Sequence, residues 1–492
     1  MKPLIHATLL SLFLTAFVPL EAQSLDIEQI VNEYDQYRES ALTKRRIKHY
    51  DVHILIQRHR SSGTFEIQRA GSSMQGRPLY LISFGEGETD VFLWSQMHGD
   101  EPTATQAIFD LLNYFEKNWE SPWVQQLRSS LRLHFLPMLN PDGAQVFTRR
   151  TALGIDLNRD ALRLQAPEGR LLKRIRDSLD ADFGFNLHDQ SKYYNVERTP
   201  NTASISFLAP PFNYEKDINE VRRRSLQLIV AMNRVLQQVV PGQVGRYSDD
   251  FEPRAFGDNI QKWGSSTILI ESGGFRGDPE RQEVRKLNYL ILLKAFESIV
   301  NGDYANLPLE EYESIPPNDR KLFDLKIENI THLIDGKPYQ LDIGINRYEK
   351  DDAYHDDFHI EGRIEDVGDL STFYGYETFD ASGYRLVEPG VTRDAVEANP
   401  GKLFVLNDFE LLKKGYGYVR MKGIAKDQRI IRSPINGVRP DFKLPVFRLR
   451  PGAYPTFFLQ RDGKLTHAVV NGFLIDLKTE RYGTFRNALV ID

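Results

Sequence analysis

The chain has 492 residues, 41% hydrophobic and 26% charged, with a formal net charge of −6 and no cysteine. That length exceeds one ordinary domain and points to two. The mild acidity gives no reason to expect nucleic acid as a partner, and the lack of cysteine excludes disulfide frameworks, thiol catalysis and a cysteine-linked lipid anchor.

The chain opens MKPLIHATLLSLFLTAFVPLEAQS, with Lys2, an apolar run from Leu4 to Val18 and a small residue at Ala22. The pattern predicts a secretory signal peptide over residues 1–22 and hence a secreted or periplasmic bacterial protein. The apolar run is short for a bilayer and no later segment is long enough, so no membrane span is expected in the mature chain.

Apolar runs rich in β-branched and aromatic residues follow: LYLISF (79–84), VFLWSQM (91–97), LRLHFLPML (131–139), FGFNL (183–187), SISFLAP (204–210) and STILIE (266–271). Helical spacing lies between them, after Pro102 and over 167–180, 215–239 and 279–300. Continuous apolar strands alternating with helices require a sheet covered on both faces, so residues 23–303 are expected to form an α/β domain. Three prolines and several acids in ANLPLEEYESIPPNDR predict a linker over 304–320. Beyond it, over 321–492, short alternating stretches such as YQLDIGI and HAVVNGFLIDL predict a β-rich, sandwich-like accessory domain.

The chemistry-bearing residues stand at strand ends. His98 and Glu101, in SQMHGDEPTA, are three apart where a buried strand gives way to a helix. An imidazole and a carboxylate are two of the three protein ligands that a catalytic zinc commonly uses. A third should sit far downstream at another strand end, and His188 in FGFNLHDQ does. Two further blocks lie between and after. NPDG, residues 140–143, is a turn signal, and GIDLNRD packs Asp156, Asn158 and Arg159 together, where an arginine beside an asparagine can grip a carboxylate. STILIESGG places Glu271 at the end of a buried strand, fit to cap or to act as a base. The acidic stretch DDAYHDDFH (351–359) reads as a solvated turn rather than a metal site. There is neither a G-x-S-x-G elbow nor a phosphate-cradling glycine loop.

HGDE, NPDG, GIDLNR, NLHD and LIES, with GSSMQGRPL (71–79) before them, stand in the order found in zinc carboxypeptidases resembling carboxypeptidase A. The resemblance covers roughly residues 45–303. It implies a three-layer α/β/α fold on a mixed sheet of about eight strands. It implies one zinc ion per chain held by His98, Glu101 and His188, with Asp156 orienting His98. Asn158 and Arg159 would bind a free carboxylate on a peptide substrate. Arg149 or its neighbour Arg150 would stabilise the oxyanion, and Glu271 would be the general base. Tyr247 is the nearest candidate for the mobile tyrosine of that family. Side-chain preference falls to the stretch before the last strand, where Phe256 suggests an apolar pocket and Arg254 an acidic side chain. The family pattern often continues GxDLNR with Asn and an aromatic residue, whereas Asp160 and Ala161 stand here. The leading expectation is an exported metallocarboxypeptidase. The alternatives are a zinc amidase or endopeptidase on cell-wall peptides, an N-acyl amino-acid deacylase, and a catalytically silent binding module.

Overall fold

The computed structural model describes residues 25–351, 355, 357–397, 408–423, 430–431, 433–480 and 487–488, so the expected signal peptide lies outside the described residues. The first domain carries, in chain order, α1 (Ile27–Tyr37), α2 (His49–Ser62), β1 (Glu66–Ser72), β2 (Pro78–Phe84), β3 (Thr89–Ser95), α3 (Thr103–Lys117), α4 (Pro122–Ser130), β4 (Leu131–Leu136) and α5 (Pro141–Gln145). It continues with α6 (Pro167–Leu179), β5 (Phe183–Asp189), β6 (Asn195–Val196), β7 (Ile205–Leu208), α7 (Glu220–Val239), β8 (Val244–Arg246), α8 (Phe256–Lys262), β9 (Ser266–Ser272) and α9 (Gln282–Asn301).

Side-chain alternation explains the three layers. Along β3, Val91 and Leu93 enter one core while Phe92 and Trp94 enter the other, and all four are essentially unexposed. The same split runs through β2, where Tyr80, Ile82 and Phe84 face the first core and Leu79 and Leu81 the second. Helices α3, α7 and α9 cover the first face and α6 and α8 the second. A strand buried on both sides has no polar positions to alternate, which is why these strands read as unbroken apolar runs.

The sheet has eight strands in the order β1-β2-β4-β3-β5-β9-β7-β8. It is mixed: β4, β3, β5 and β9 run parallel, while β1–β2, β2–β4 and β7–β9 are antiparallel pairs. The next strand in sequence after β3, β4, lies on one side of it and β5 on the other. The chain therefore reverses direction across the sheet at β3, and such a switch point opens a crevice at the carboxyl ends of the strands.

The stretch expected as a linker is structured. Residues Leu309–Glu313 form α10, and Tyr312 and Ile315 are buried in the first core. Four apolar residues, Leu307, Leu309, Tyr312 and Ile315, supply the anchor that its prolines and acids concealed. Arg234 on α7 adds an ion pair to Glu311. The following β10 (Asn318–Asp319) pairs with β6 of the first domain.

The second domain begins with β11 (Leu322–Ile334), β12 (Lys337–Asp351), β13 (Phe358–Gly368) and β14 (Tyr374–Asp380). Strands β11, β12 and β13 form an antiparallel meander, and β14 lies parallel to β11. Among the described residues they belong to a ten-stranded sheet, beside a separate four-stranded one. In the stretch read as a solvated acidic turn, Asp351 pairs with Arg46 at 2.8 Å and with His355 at 3.0 Å.

Candidate metal centre and active site

The site residues arrive on the carboxyl ends of β3, β5 and β9. After β3 the chain turns through residues 96–101, and the Glu101 N–H closes the turn on the His98 carbonyl at 3.2 Å. A Cβ on Gly99 would lie 2.1 Å from the Gly143 carbonyl carbon, so HGDE and NPDG touch through a position only glycine can fill. His188 is the penultimate residue of β5 and stands in register beside Glu271 on β9. The next residue, Asp189, accepts the Thr103 hydroxyl at 2.6 Å at the start of α3 and ties β5 to the helix that follows Glu101.

His98, Glu101 and His188 meet. The Nδ1 atoms of His98 and His188 each lie 2.7 Å from a different oxygen of the Glu101 carboxylate. Their ligand atoms all fall within 4.8 Å of one another, all three residues are buried, and no other such group occurs among the described residues. Two imidazole nitrogens and one carboxylate make the donor set of an open zinc site. Nε2 of His98 stands 3.1 Å from Asp156 Oδ1, the kind of outer contact that fixes the ring of a ligating histidine. The residues present therefore fit a zinc ion.

Arg149 and Arg150 part company. Arg149 donates from Nε to Asp156 Oδ2 at 3.0 Å, and its Nη1 lies 3.2 Å from Glu101 Oε1. Arg150 turns away to donate to the Gly154 carbonyl at 2.9 Å. Only Arg149 stands where charge could develop beside the three convergent residues.

The electrostatics follow from burial and neighbours. Burial alone would lower the pKa of His98, but the Glu101 charge and hydrogen bonds to Asp156 and Glu101 outweigh it and raise the imidazole to about 9. Burial would raise Glu101, yet the two histidines hold it well below the usual carboxylate range. Glu271 goes the other way: burial first, then the Glu101 charge, push it well above the ordinary value. Adjacent carboxylates driven apart in this manner are a common feature of functional sites. Tyr247 is also raised, by burial and then by the Glu271 charge, and its ring lies 6.2 Å from that of Tyr194.

Asn158 and Arg159 are both engaged within the protein. Asn158 Oδ1 accepts the Phe256 N–H at 3.0 Å and so fastens the start of α8. Arg159 Nε pairs with Glu252 at 3.1 Å. Arg254 grips the same carboxylate through Nε at 3.0 Å and Nη2 at 2.9 Å. Glu252 thus sits between two guanidiniums. Phe256, read as a hint of an apolar pocket, is fully buried in the second core, because it opens α8 with its side chain turned toward the sheet.

Sequence reasoning passed over Asp189 and Glu252. Asp189 follows His188 directly and was visible as a second acid at a strand end. Glu252 lies two residues before Arg254 in a loop, and nothing local signals that Arg159, far away in the chain, would join it.

Residues 52–202 match the family profile described as zinc carboxypeptidase, Peptidase_M14. Carboxypeptidase SOL1 of Arabidopsis thaliana is 29% identical over 181 residues, covering 30% of this chain and 36% of the plant protein. Carboxypeptidase D of Mus musculus is 30% identical over 107 residues, covering 18% of this chain and 8% of the mouse protein. The chain thus spans about a third or less of the length of these curated relatives. A metallo-carboxypeptidase structure from Burkholderia cenocepacia aligns with a TM-score of 0.42 at 17% identity, covering 52% of this chain and 69% of that one. The profile match holds HGDE, NPDG, GIDLNR and NLHD together, and over residues 52–202 this chain is similar to the zinc carboxypeptidases.

Proposed function

We propose that the chain is a zinc-dependent metallocarboxypeptidase that hydrolyses the C-terminal amide bond of peptides. The observation that carries this reading is the convergence of His98, Glu101 and His188 on one point with Glu271 in register beside it. When bound, zinc acidifies a water molecule and polarises a carbonyl. Glu271 takes a proton from the attacking water and returns it to the leaving nitrogen, a task suited to a carboxylate whose pKa is raised by burial. The Arg149 guanidinium faces the charge that grows on the carbonyl oxygen. Asn158 and Arg159 receive the terminal carboxylate and so select which amide is presented. Tyr247 closes over the same centre as a phenolic donor.

Glu252 favours keeping one alternative in view. Because it already occupies Arg159, a substrate gripped less by its carboxylate, such as a cell-wall peptide cut by an amidase, also fits. Mass spectrometry of products from a mixed pool of free peptides, C-terminally amidated peptides and muropeptides, with and without chelator, separates the two. Loss of single C-terminal residues from free peptides alone supports the carboxypeptidase. Release of stem peptides alone supports the amidase, and no chelator-sensitive product removes both.

The proposal extends to export, supported by the charged start, apolar run and Ala22 of the first 22 residues. N-terminal sequencing of the protein recovered from outside the cytoplasm should begin at Gln23. A product retained in the cytoplasm with Met1 intact would contradict it.

A further inference from the structure

The second domain touches the first at a telling place. Four residues after His188, Lys192 Nζ pairs with Asp324 of β11 at 2.6 Å. The Tyr193 hydroxyl donates to the other oxygen of Asp324 at 2.7 Å, and the Arg347 N–H donates to that oxygen at 2.7 Å. Asp324 is 7% exposed, so three donors converge on a buried carboxylate. The Tyr376 hydroxyl of β14 donates to the Lys192 carbonyl. The backbone is held as well: the Leu322 N–H donates to the Tyr193 carbonyl at 3.2 Å, and β10 pairs with β6 at residues 195 and 196.

The same domain grips the end of β9, just past Glu271. Arg276 Nη2 donates to the Gly375 carbonyl at 3.0 Å, and its Nη1 reaches the Tyr376 carbonyl. A Cβ on Gly274 would lie 2.1 Å from the Tyr376 hydroxyl oxygen and 3.0 Å from Lys192 Cβ. The phenol therefore fills the space between the two strand ends, and Gly274 is what lets it in. Within the first domain the two ends are tied to each other by the Gln190 N–H on the Ser272 carbonyl at 2.9 Å and by Arg281 bridging the Ser272 and Gln190 carbonyls at 2.7 and 2.9 Å, while Ser204 holds the Gly273 N–H at 2.8 Å and the Gly274 carbonyl at 2.9 Å.

We infer that the β-rich domain is a working part of the catalytic centre, with Asp324 and Tyr376 as positioning residues that hold the strand ends carrying His188 and Glu271 in register. This rests on the metallocarboxypeptidase reading of that centre. The physical reason is leverage. Chain beyond the last sheet hydrogen bond opens readily unless something packs on it, and a ligand or base displaced by about 1 Å costs on the order of a hundred-fold in rate. Neither residue reaches the three convergent side chains, so their effect travels through residues 189–193 and 272–276.

The test uses the full chain with Asp324→Asn and Tyr376→Phe, reading zinc loss to a chelator, kcat and KM on one peptide, and the melting temperature. Asp324→Asn should bind zinc about ten-fold more weakly, in line with the loss of outer support at a metal site. It should also lower kcat about ten-fold with KM nearly unchanged, as expected for a misplaced base rather than a lost substrate contact. Asp324→Glu, which restores the charge, should recover most of both. Tyr376→Phe removes a single oxygen, should move the same readouts in the same direction, and carries the test should Asp324→Asn fail to fold. The inference is overturned if both variants hold zinc and turn over like the parent. It is equally overturned if their losses only mirror a matching fall in melting temperature with kcat and KM changed together. If the parent chain itself holds no zinc, the carboxypeptidase reading fails; if the parent holds zinc and cleaves while the variants match it, only this inference does.

Discussion

Arg149 and Arg150 are adjacent in the chain and opposite in surroundings. Arg149 lies against Asp156 and Glu101, whereas Arg150 faces the Gly154 carbonyl at the surface. Replacing Arg149 with Lys breaks a planar fork that an ammonium cannot reproduce. It should lower kcat/KM by about a hundred-fold, the scale of losing one oxyanion donor, while Arg150→Lys should leave steady-state kinetics unchanged. Glu252 offers the reverse experiment. On the proposed role of Arg159, Glu252 competes with the substrate carboxylate for it, so Glu252→Gln should lower KM for free peptides about three- to five-fold, the range of an exposed ion pair. Amidated peptides should show no such gain. The three convergent residues are legible in the sequence because His98 and His188 directly follow apolar runs and Glu101 stands three residues after His98. Glu252, by contrast, is an ordinary loop acid until tertiary contact brings Arg159 to it.

Among elements, the packing of α3, α9 and α1 hangs on one buried ion pair. Arg285 and Asp110 are both fully buried; Arg285 Nε lies 2.7 Å from Asp110 Oδ2, and the Tyr34 hydroxyl and the Glu39 N–H complete the carboxylate. Arg285→Met should lower the unfolding free energy of the first domain by about 3–5 kcal/mol, because the carboxylate is left charged and unpaired in the core. Urea denaturation followed by tryptophan fluorescence reads this, and adding Asp110→Leu should restore much of it. The order of strands and helices is legible because two-sided burial and helical spacing are local properties of the sequence. The packing of 304–320 is not. Proline and acid dominate its composition, while Leu307, Leu309, Tyr312 and Ile315 find their partners on α7 and neighbouring elements only after the chain has folded back. Asp324 and Tyr376 were likewise invisible, since a strand in an alternating β region gives no hint of what its polar face will meet.

For the whole molecule, zinc, protons and stability are linked. In the zinc-free protein the acidic neighbours of His98 hold its imidazole at about 9, so at neutral pH a proton occupies the nitrogen that the metal needs. Zinc must displace it, so apparent affinity should rise as pH climbs from 6 toward 9, and binding at neutral pH should release a proton. Calorimetry in two buffers of different ionisation enthalpy measures that release, and an affinity flat across this range would contradict the assignment. The profile match covers residues 52–202, whereas Lys192 and Arg276, a few residues past His188 and Glu271, contact Asp324 and Tyr376 of the second domain. The most direct test of the central claim is an anomalous difference map at the zinc edge from crystals grown with zinc. The account predicts one peak per chain, ~2.0–2.2 Å from Nδ1 of His98, the Glu101 carboxylate and Nδ1 of His188. A map with no peak among those three residues, or with the ion seated elsewhere, would contradict it.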